Sequence, residues 1–173
     1  MTASGSPLGT DPAGQPAAGE PAPPMPGLQP VCDVHVTVGT PEDHGVTRVG
    51  HRRVIPIIGG TITGALEAQL LPGGADWQVI RADGAIEIDA RYSARTDAGE
   101  LVDIRTVGVR SAPAEVLERL GRGETVDPRE YYFRASVMFE TSAPGLRHLQ
   151  DSVFVSSNRR DVDGVRYRVY RLS

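Results

Sequence analysis

Short stretches in which apolar and polar residues alternate run through most of the chain from Val31 onward. In the segment VCDVHVTV (31–38), most of the valines have polar neighbours, a spacing that is typical of a half-buried β-strand. Glycines and Asp-Gly pairs separate the stretches, as they do at turns between strands. The pattern predicts about nine strands, at 31–38, 53–58, 65–71, 77–81, 85–94, 101–109, 131–140, 152–156 and 165–172.

Two segments with helical features interrupt the strands. The first runs from Pro113 to Leu120 and is followed by Gly121, and helices commonly have proline in the first turn and glycine after the last. The second is a shorter piece around Leu146 to Gln150. We therefore predict a mainly β fold: a single antiparallel, closed or nearly closed β-barrel with one or two short helices.

One hairpin has a register that follows from its turn. With Asp97-Ala98-Gly99 as a three-residue loop, Gly99 takes the left-handed position and Arg91 faces Arg105 on the next strand. This register separates the side chains by polarity, whereas a two-residue loop would place charges on both faces. The predicted apolar face contains Ile86, Ile88, Ala90, Tyr92, Val102 and Ile104, and the polar face contains Glu87, Asp89, Arg91, Asp103 and Arg105.

The beginning of the chain differs in composition from the rest. From Met1 to about Pro30 it consists mostly of Gly, Pro, Ala, Ser and Thr, with too few apolar side chains to compensate the entropy lost on ordering. We predict a disordered tail over 1–30 and a β-barrel domain over 31–173. The tail lacks the apolar core of a signal peptide, and no apolar run has membrane-spanning length. We therefore expect a cytoplasmic protein.

Charge and composition exclude several classes of function. The formal net charge is −4, so the chain has no surplus of positive charge with which to bind nucleic acid or an anionic membrane surface. All 18 basic residues are arginine, which excludes Schiff-base chemistry and a P-loop lysine. We predict no nucleic-acid partner and no membrane partner.

Motifs for metals and nucleotides are absent from the sequence. The single cysteine is Cys32 and the four histidines have no HxxxH or HxH spacing, so we predict no metal site. Gly59, Gly60 and Gly64 superficially resemble a nucleotide loop, but no βαβ unit surrounds them. We therefore predict that the protein works without a cofactor.

Several segments together resemble a known family. They are GGTITG (59–64), LPGGADWQ (71–78), DARY (89–92), YYFR (131–134) and FET (139–141). In this combination the chain, from about Val31 to Leu172, resembles the bacterial and fungal domain-of-unknown-function family thirty-two thirty-seven. The resemblance implies a β-barrel of lipocalin-like appearance with one central cavity, and no known activity for most members. Some fungal and actinobacterial relatives resemble cofactor-free cyclases of natural-product pathways. The segment LRHLQ (146–150) of this chain departs from the family pattern.

Asp76 and Trp77, within the LPGGADWQ segment, are the first candidates for chemistry. Burial beside an indole would raise the pKa of the Asp76 carboxyl toward the range of a proton donor, and Trp77 would then contact the substrate. The alternative is that Trp77 plugs the barrel while Asp76 accepts hydrogen bonds from turn amides. We predict Asp76 as a catalytic residue and Trp77 as a substrate-binding residue.

Strand YYFRASVMFE (131–140) supplies the second group of candidates. Its alternate positions divide into a set headed by Tyr131 and a set headed by Tyr132. The second set is Tyr132, Arg134, Ser136, Met138 and Glu140. Because this set offers a phenol, a guanidinium and a carboxylate, we predict Tyr132 and Arg134 as catalytic and Met138 and Glu140 as substrate-binding. The alternative is a surface ion pair of Arg134 with neighbouring acids.

Asp89 and Arg91 form the third group of candidates. They lie two residues apart on one strand and therefore share a face, together with Glu87. In a wide barrel these side chains line the cavity and bind substrate. In a barrel whose core is the apolar face of the hairpin, they are solvated or form a subunit contact.

The leading functional hypothesis is a cofactor-independent cyclase, isomerase or lyase of natural-product biosynthesis that acts on a small oxygenated organic molecule. Asp76 or a neighbouring carboxyl would move a proton while Arg134 and Tyr132 hold an oxygen of the substrate. The main alternative is a non-catalytic carrier of the same kind of molecule. A third hypothesis is a structural subunit whose polar strand face forms a homo-oligomer contact.

Overall fold

The computed structural model describes residues 22–173, which form ten β-strands in one sheet, one α-helix and two 3₁₀ turns. The strands are β1 (Leu28–Val38), β2 (Glu42–Thr47), β3 (Gly50–Gly64), β4 (Ala68–Leu70), β5 (Gly74–Ile80), β6 (Ile86–Arg95), β7 (Leu101–Ser111), β8 (Tyr132–Thr141), β9 (Phe154–Arg160) and β10 (Gly164–Leu172). The helix is α1 (Ala114–Gly121), and the 3₁₀ turns cover Pro128–Glu130 and Pro144–Leu149.

The sheet closes on itself. Strands β6 to β10 pair with their sequence neighbours, β10 pairs with β1, and all pairings are antiparallel. Both β4 and β5 connect β6 to the long strand β3. The ring is completed by β1 and β3, which pair between Cys32↔Gly64 and Val38↔Ile57. The fold is therefore the closed antiparallel β-barrel that the sequence predicts, and β2 extends the sheet beside β3.

The GGTITG segment lies where β3 crosses closest to β1. Gly60 has φ of 140°, a region that glycine adopts readily and other residues avoid. A Cβ at this position would lie 2.0 Å from the carbonyl oxygen of His35. Gly60 therefore permits the close approach of the two strands that complete the ring.

The register of the β6–β7 hairpin is the predicted one. Arg91 pairs with Arg105, Arg95 pairs with Leu101, and Gly99 has φ of 86°. Along β6 buried residues alternate with more exposed ones from Ile86 to Arg95, so the apolar face of the hairpin is the inner face. The barrel interior is filled by side chains from that face, as is usual in small barrels.

Buried apolar side chains form two clusters. One lies toward one end of the barrel and contains Leu66, Val102, Ile104 and Phe139 among others. The other includes Val116 and Leu120 of α1, which pack against the interior residues of β6 and β8. The helix thus covers the second end, and residues of both clusters line the cavity described below.

The predicted boundary between tail and barrel lies close to the observed start of β1. Ordered strand begins at Leu28 rather than Val31, and Ala22 to Gly27 are exposed without helix or strand. The remainder of the predicted tail, 1–21, lies outside the described residues. Within 22–173, no helix combines the length and the apolarity needed to cross a membrane.

Candidate functional site

A cavity of about 240 Å³ lies inside the barrel. Its walls are largely apolar, and residues of both core clusters contribute to them. Concave, mostly apolar spaces with a few polar groups are the usual sites for small molecules. The polar side chains of the lining are Arg53, Asp76, Gln78, Tyr92, Thr106, Arg110, Asn158, Arg160 and Tyr167.

Asp76 lies in the middle of β5, where it is the only acidic residue of the cavity lining. Its Oδ2 accepts a hydrogen bond from Nε2 of Gln78 at 2.6 Å, and its Oδ1 accepts one from the backbone N–H of Asp89 at 3.3 Å. Burial raises the pKa of Asp76 to about 6, although these hydrogen bonds and the charges of Arg110 and Arg53 oppose the rise. A carboxyl with this pKa can both donate and accept a proton near neutral pH.

Gln78 links Asp76 to the neighbouring strand. The side-chain oxygen of Gln78 accepts a hydrogen bond from Nε of Arg53 on β3 at 3.0 Å, while its amide nitrogen donates to Asp76. Gln78 is buried, so both ends of its amide have protein partners. This chain of contacts holds the Asp76 carboxyl in one orientation toward the cavity.

Three guanidinium groups border the same cavity, from Arg53 on β3, Arg110 on β7 and Arg160 on β9. Arg110 is only 8% exposed and its guanidinium carbon lies 5.7 Å from the centre of the Phe133 ring. Burial, together with the charges of Arg53 and Arg160, lowers the pKa of Arg110 to about 10. The group therefore stays positively charged at neutral pH.

Two tyrosines form a pair on the cavity wall. The hydroxyl groups of Tyr92 on β6 and Tyr167 on β10 are hydrogen-bonded to each other, and burial raises the pKa of both phenols. One of the two hydroxyl hydrogens is used in this bond. The other has no acceptor among residues 22–173, so the pair can donate a hydrogen bond to an oxygen in the cavity.

The structure places only some of the predicted site residues at the cavity. Asp76 lines it, whereas Trp77 points to the outer surface and is 41% exposed. The reason is strand alternation: on β5, Asp76 and Gln78 share the inner face and Trp77 lies between them on the other. Trp77 neither plugs the barrel nor contacts the cavity.

The predicted site residues of β8 do not face the barrel cavity. Tyr132, Arg134, Met138 and Glu140 all lie on the exposed outer face of the strand. Arg134 donates to the carbonyl oxygen of Phe133 and lies over the Tyr132 ring, with 5.4 Å between the guanidinium carbon and the ring centre. The inner face carries the other set, Phe133, Ala135, Val137 and Phe139, because that wholly apolar set fills the core of a small barrel.

Asp89 and Arg91 also lie on the outer face, which is the solvated alternative considered from the sequence. The carboxylate of Asp89 accepts hydrogen bonds from Arg105, with 3.0 Å to Nε, and Arg91 is exposed. Neither side chain lines the cavity. Only the backbone N–H of Asp89 reaches the site, through its hydrogen bond to Asp76.

The cavity-lining arginines and tyrosines were not recognised from the sequence. The position of Arg110 on the inner face could be predicted from strand alternation. The inward positions of β7 follow at steps of two from Val102 and Ile104 through Thr106 to Arg110. An arginine at the end of an otherwise apolar face is unusual and marks a buried charge. The predicted strand 101–109 ends one residue before Arg110 and therefore does not include it.

A group of side chains outside the barrel cavity has the types that bind metals. His35, Asp161 and Asp163 offer ligand atoms within 4.8 Å of one another, and this is the only such group in the described part of the chain. Asp161 already accepts a hydrogen bond from Nε of Arg166 at 2.5 Å. The group therefore gives little support to a cation site, and the absence of a metal stays a prediction.

Comparisons with known proteins agree with this architecture. A UPF0311 protein of Bradyrhizobium diazoefficiens is 40% identical over 142 residues, which cover 82% of this chain and 93% of the relative. A solved Rhodopseudomonas palustris protein of unknown function is 38% identical, with a TM-score of 0.82 over 88% of this chain and all of that one. A Penicillium herquei structure described as an enzyme is 17% identical, with a TM-score of 0.67 over 89% of this chain and 99% of the other, and so shares the fold. Since residues 26–172 match the family described as protein of unknown function DUF3237, this chain belongs to that family.

Proposed function

We propose that the protein is a cofactor-independent enzyme that transfers protons within the barrel cavity, as a cyclase, isomerase or lyase of a small oxygenated organic molecule. The observation that carries this proposal is the carboxyl of Asp76, which lies in a largely apolar cavity of the barrel with a pKa raised to about 6. A general acid or base works best when its pKa lies near the pH at which it operates. Asp76 is the residue of the lining that meets this condition.

The contacts of Asp76 suit reversible proton transfer. Gln78 and the backbone N–H of Asp89 both donate to the carboxyl, and such donors favour its ionised form. Burial favours the neutral form and is the larger effect, which places the pKa at about 6. Asp76 can therefore be neutral or ionised near neutral pH, so it can give a proton to the substrate and recover one.

The remaining polar side chains can orient a substrate. The free hydroxyl hydrogen of the Tyr92–Tyr167 pair can bind a carbonyl or hydroxyl oxygen, which would polarise the substrate next to the proton donor. The apolar walls would exclude water and hold the carbon skeleton in one conformation. These features support ring closure, isomerisation or elimination, reactions that need positioning and a proton rather than a cofactor.

The Penicillium herquei structure supports the catalytic proposal at the level of the fold. That protein is described as an enzyme and has a barrel of the same architecture. A role in natural-product biosynthesis is the more specific part of the proposal, and it rests on the family resemblance. Our predictions of a cytoplasmic location, and of no nucleic-acid or membrane partner, rest on composition and charge alone.

The second candidate is a carrier that binds the same molecule without converting it. One observation favours it: Leu120 and Gly121 of α1 contribute to the lining, so the helix covers one end of the cavity. A cover of this kind would retain a bound molecule. The carrier and the enzyme differ in whether Asp76 exchanges a proton with the ligand.

The proposal is tested by proton exchange in D₂O. The full-length protein would be incubated with a panel of oxygenated aromatic and polyketide-like compounds, and deuterium uptake and new products would be followed by mass spectrometry. We expect uptake or conversion with the wild type and a loss of at least ~100-fold with Asp76→Asn, the usual contribution of a general acid or base. The matched control is Asp103→Asn, which removes an exposed carboxylate from the outer face of β7.

One result would contradict the role of Asp76, and another would contradict the enzyme. An unchanged rate in Asp76→Asn, with the same products, would remove Asp76 as the proton donor. Binding of panel members to the wild type without any exchange or conversion would favour the carrier instead.

A further inference from the structure

We infer that the cavity binds a small organic anion, in which a carboxylate or a similarly compact negative group lies among Arg53, Arg110 and Arg160. This inference deepens the proposed function, because it assigns a chemical class to the molecule on which the site would act. It also applies to the carrier, since it concerns binding alone.

Positive charge exceeds negative charge in the cavity lining. Three arginines line the cavity and one acidic residue, Asp76, accompanies them. Arg160 also donates hydrogen bonds to the carbonyl oxygens of Asp161 and Gly164, which leave its positive charge unneutralised. Every other arginine that forms an ion pair does so outside the cavity, as Arg105 does with Asp89 and Arg168 with Asp33. The chain has more acidic than basic residues. Even so, no carboxylate oxygen of residues 22–173 lies within 4.0 Å of a guanidinium nitrogen of Arg53, Arg110 or Arg160.

Arg110 places a buried positive charge at the cavity. Its side chain is 8% exposed, and its Nε–H has no acceptor anywhere in residues 22–173. A buried charge without a hydrogen-bonded partner is costly, and buried arginines are normally paired. A ligand that supplies two oxygens to the guanidinium would remove this cost, because the planar fork of arginine matches a carboxylate.

The size and polarity of the cavity limit what the rest of the ligand can be. A space of about 240 Å³ with largely apolar walls is larger than a simple inorganic ion needs. Arg110 lies against the Phe133 ring, so an anion held there would have its carbon skeleton beside apolar side chains. Asn158 adds a polar side chain to this lining, and its buried oxygen has no hydrogen-bond donor among residues 22–173. The site therefore fits a compact, ring-sized organic acid.

Binding of an anion must be coupled to the protonation of Asp76. The groups that face Asp76 are Gln78 from its own strand, Arg53 from β3, Tyr92 from β6 and Arg110 from β7. The lining contains no histidine, so Asp76 is its one group that titrates between about pH 5 and 8. Protonation of Asp76 removes the negative charge that repels an anion, and we expect affinity to rise as the pH falls through the range near 6.

The test compares acids with shape-matched neutral amides by titration calorimetry on the full chain. The probes are benzoate, salicylate and trans-cinnamate, each paired with its own amide. We expect at least one acid to bind ~10-fold or more tightly than its amide near pH 7.5, as a charge-assisted contact to arginine would give. Arg110→Met should abolish this preference, and Arg134→Met, on the outer face of β8, should preserve it.

A second variant keeps the inference testable if Arg110→Met does not fold. Asp76→Asn should bind the acids more tightly than the wild type at about pH 7.5, and its affinity should no longer depend on pH between about 5 and 8. The inference is overturned if no acid exceeds its amide, or if Asp76→Asn leaves affinity and its pH dependence unchanged. Failure of the enzyme proposal gives a different result: the acids bind with the expected preference and nothing is converted.

Discussion

Nε2 of Gln78 donates a hydrogen bond to Oδ2 of Asp76 at 2.6 Å, so the single carboxylate of the cavity is held by a neutral amide and not by an arginine. An arginine in this position would lower the pKa of Asp76 well below neutrality. The hydrogen bond from the amide lowers the pKa of Asp76 by less than burial raises it, so the pKa is about 6. Each of the following predictions tests one part of this arrangement or of the barrel that supports it.

Asp76→Asn should stabilise the protein at high pH. Burial raises the pKa of Asp76 from 3.8 to about 6, so its ionised form costs the folded state on the order of 2–3 kcal/mol. Because the folded pKa exceeds the unfolded one, this cost appears as the pH rises from about 4 to about 6 and is constant above that range. Urea denaturation at several pH values should show a variant that is more stable by about 1–3 kcal/mol near pH 8, with the difference shrinking toward pH 4. A difference that does not change with pH would show that Asp76 has an ordinary pKa.

Gln78→Leu should raise the pKa of Asp76 further. The substitution removes the amide that donates to the carboxylate and leaves burial in place. Carboxyl chemical shifts followed by NMR through the titration would measure the change. The control is Gln69→Leu on the exposed side of β4, which should leave the titration of Asp76 as it is. A lower pKa in Gln78→Leu would mean that Arg53, freed from Gln78, has moved to pair with Asp76.

The Tyr92–Tyr167 pair should show strong coupling in a double-mutant cycle. Replacing one tyrosine with phenylalanine leaves the other buried hydroxyl without its partner, at a cost of about 1–3 kcal/mol. The double variant has no unpaired hydroxyl, and it should be close to the wild type in stability. Chemical denaturation of all four proteins would measure the coupling energy. Additive losses from the two single variants would show that the hydroxyls act independently.

Gly60→Ala should destabilise the barrel strongly. The added Cβ would lie 2.0 Å from the carbonyl oxygen of His35, and the backbone at Gly60 has φ of 140°. Relief of this overlap requires β1 and β3 to separate, and we expect a loss of at least ~3 kcal/mol or failure to fold. Gly145→Ala is the matched control, because a Cβ there meets nothing within 4 Å. Similar thermal stability of the two variants would contradict the close packing of these strands.

The sequence carried much of the information on the fold. Alternation of apolar and polar residues located most of the strands, and the loop ending at Gly99 specified the register that pairs Arg91 with Arg105. Both signals are local, because side-chain alternation and turn geometry depend on neighbouring residues only. Strand β2 (Glu42–Thr47) was missed because its residues are mostly polar and exposed, which leaves no apolar face to recognise.

The site was only partly predictable. The LPGGADWQ segment indicates Asp76, which the structure places in the cavity lining. On β8 both alternate sets contain an aromatic residue, and the sequence favours the more polar set, which begins with Tyr132, although this set faces outward. In a barrel of this size most of the interior is occupied by apolar side chains, and this requirement of packing decides the orientation of β8. Tertiary structure alone could show that the polar set is exposed.

By itself the sequence determined the strand pattern, the hairpin register and the presence of an acidic residue in a distinctive segment. Only the tertiary structure decided which polar side chains share the cavity. Arg53, Arg110 and Arg160 come from strands that are distant in sequence, and each looks like an ordinary surface arginine in its own segment. They meet because the ring of strands closes through the pairing of β1 with β3. In a closed barrel, the stagger of all the strand pairs decides which side chains lie at the same height along the barrel axis.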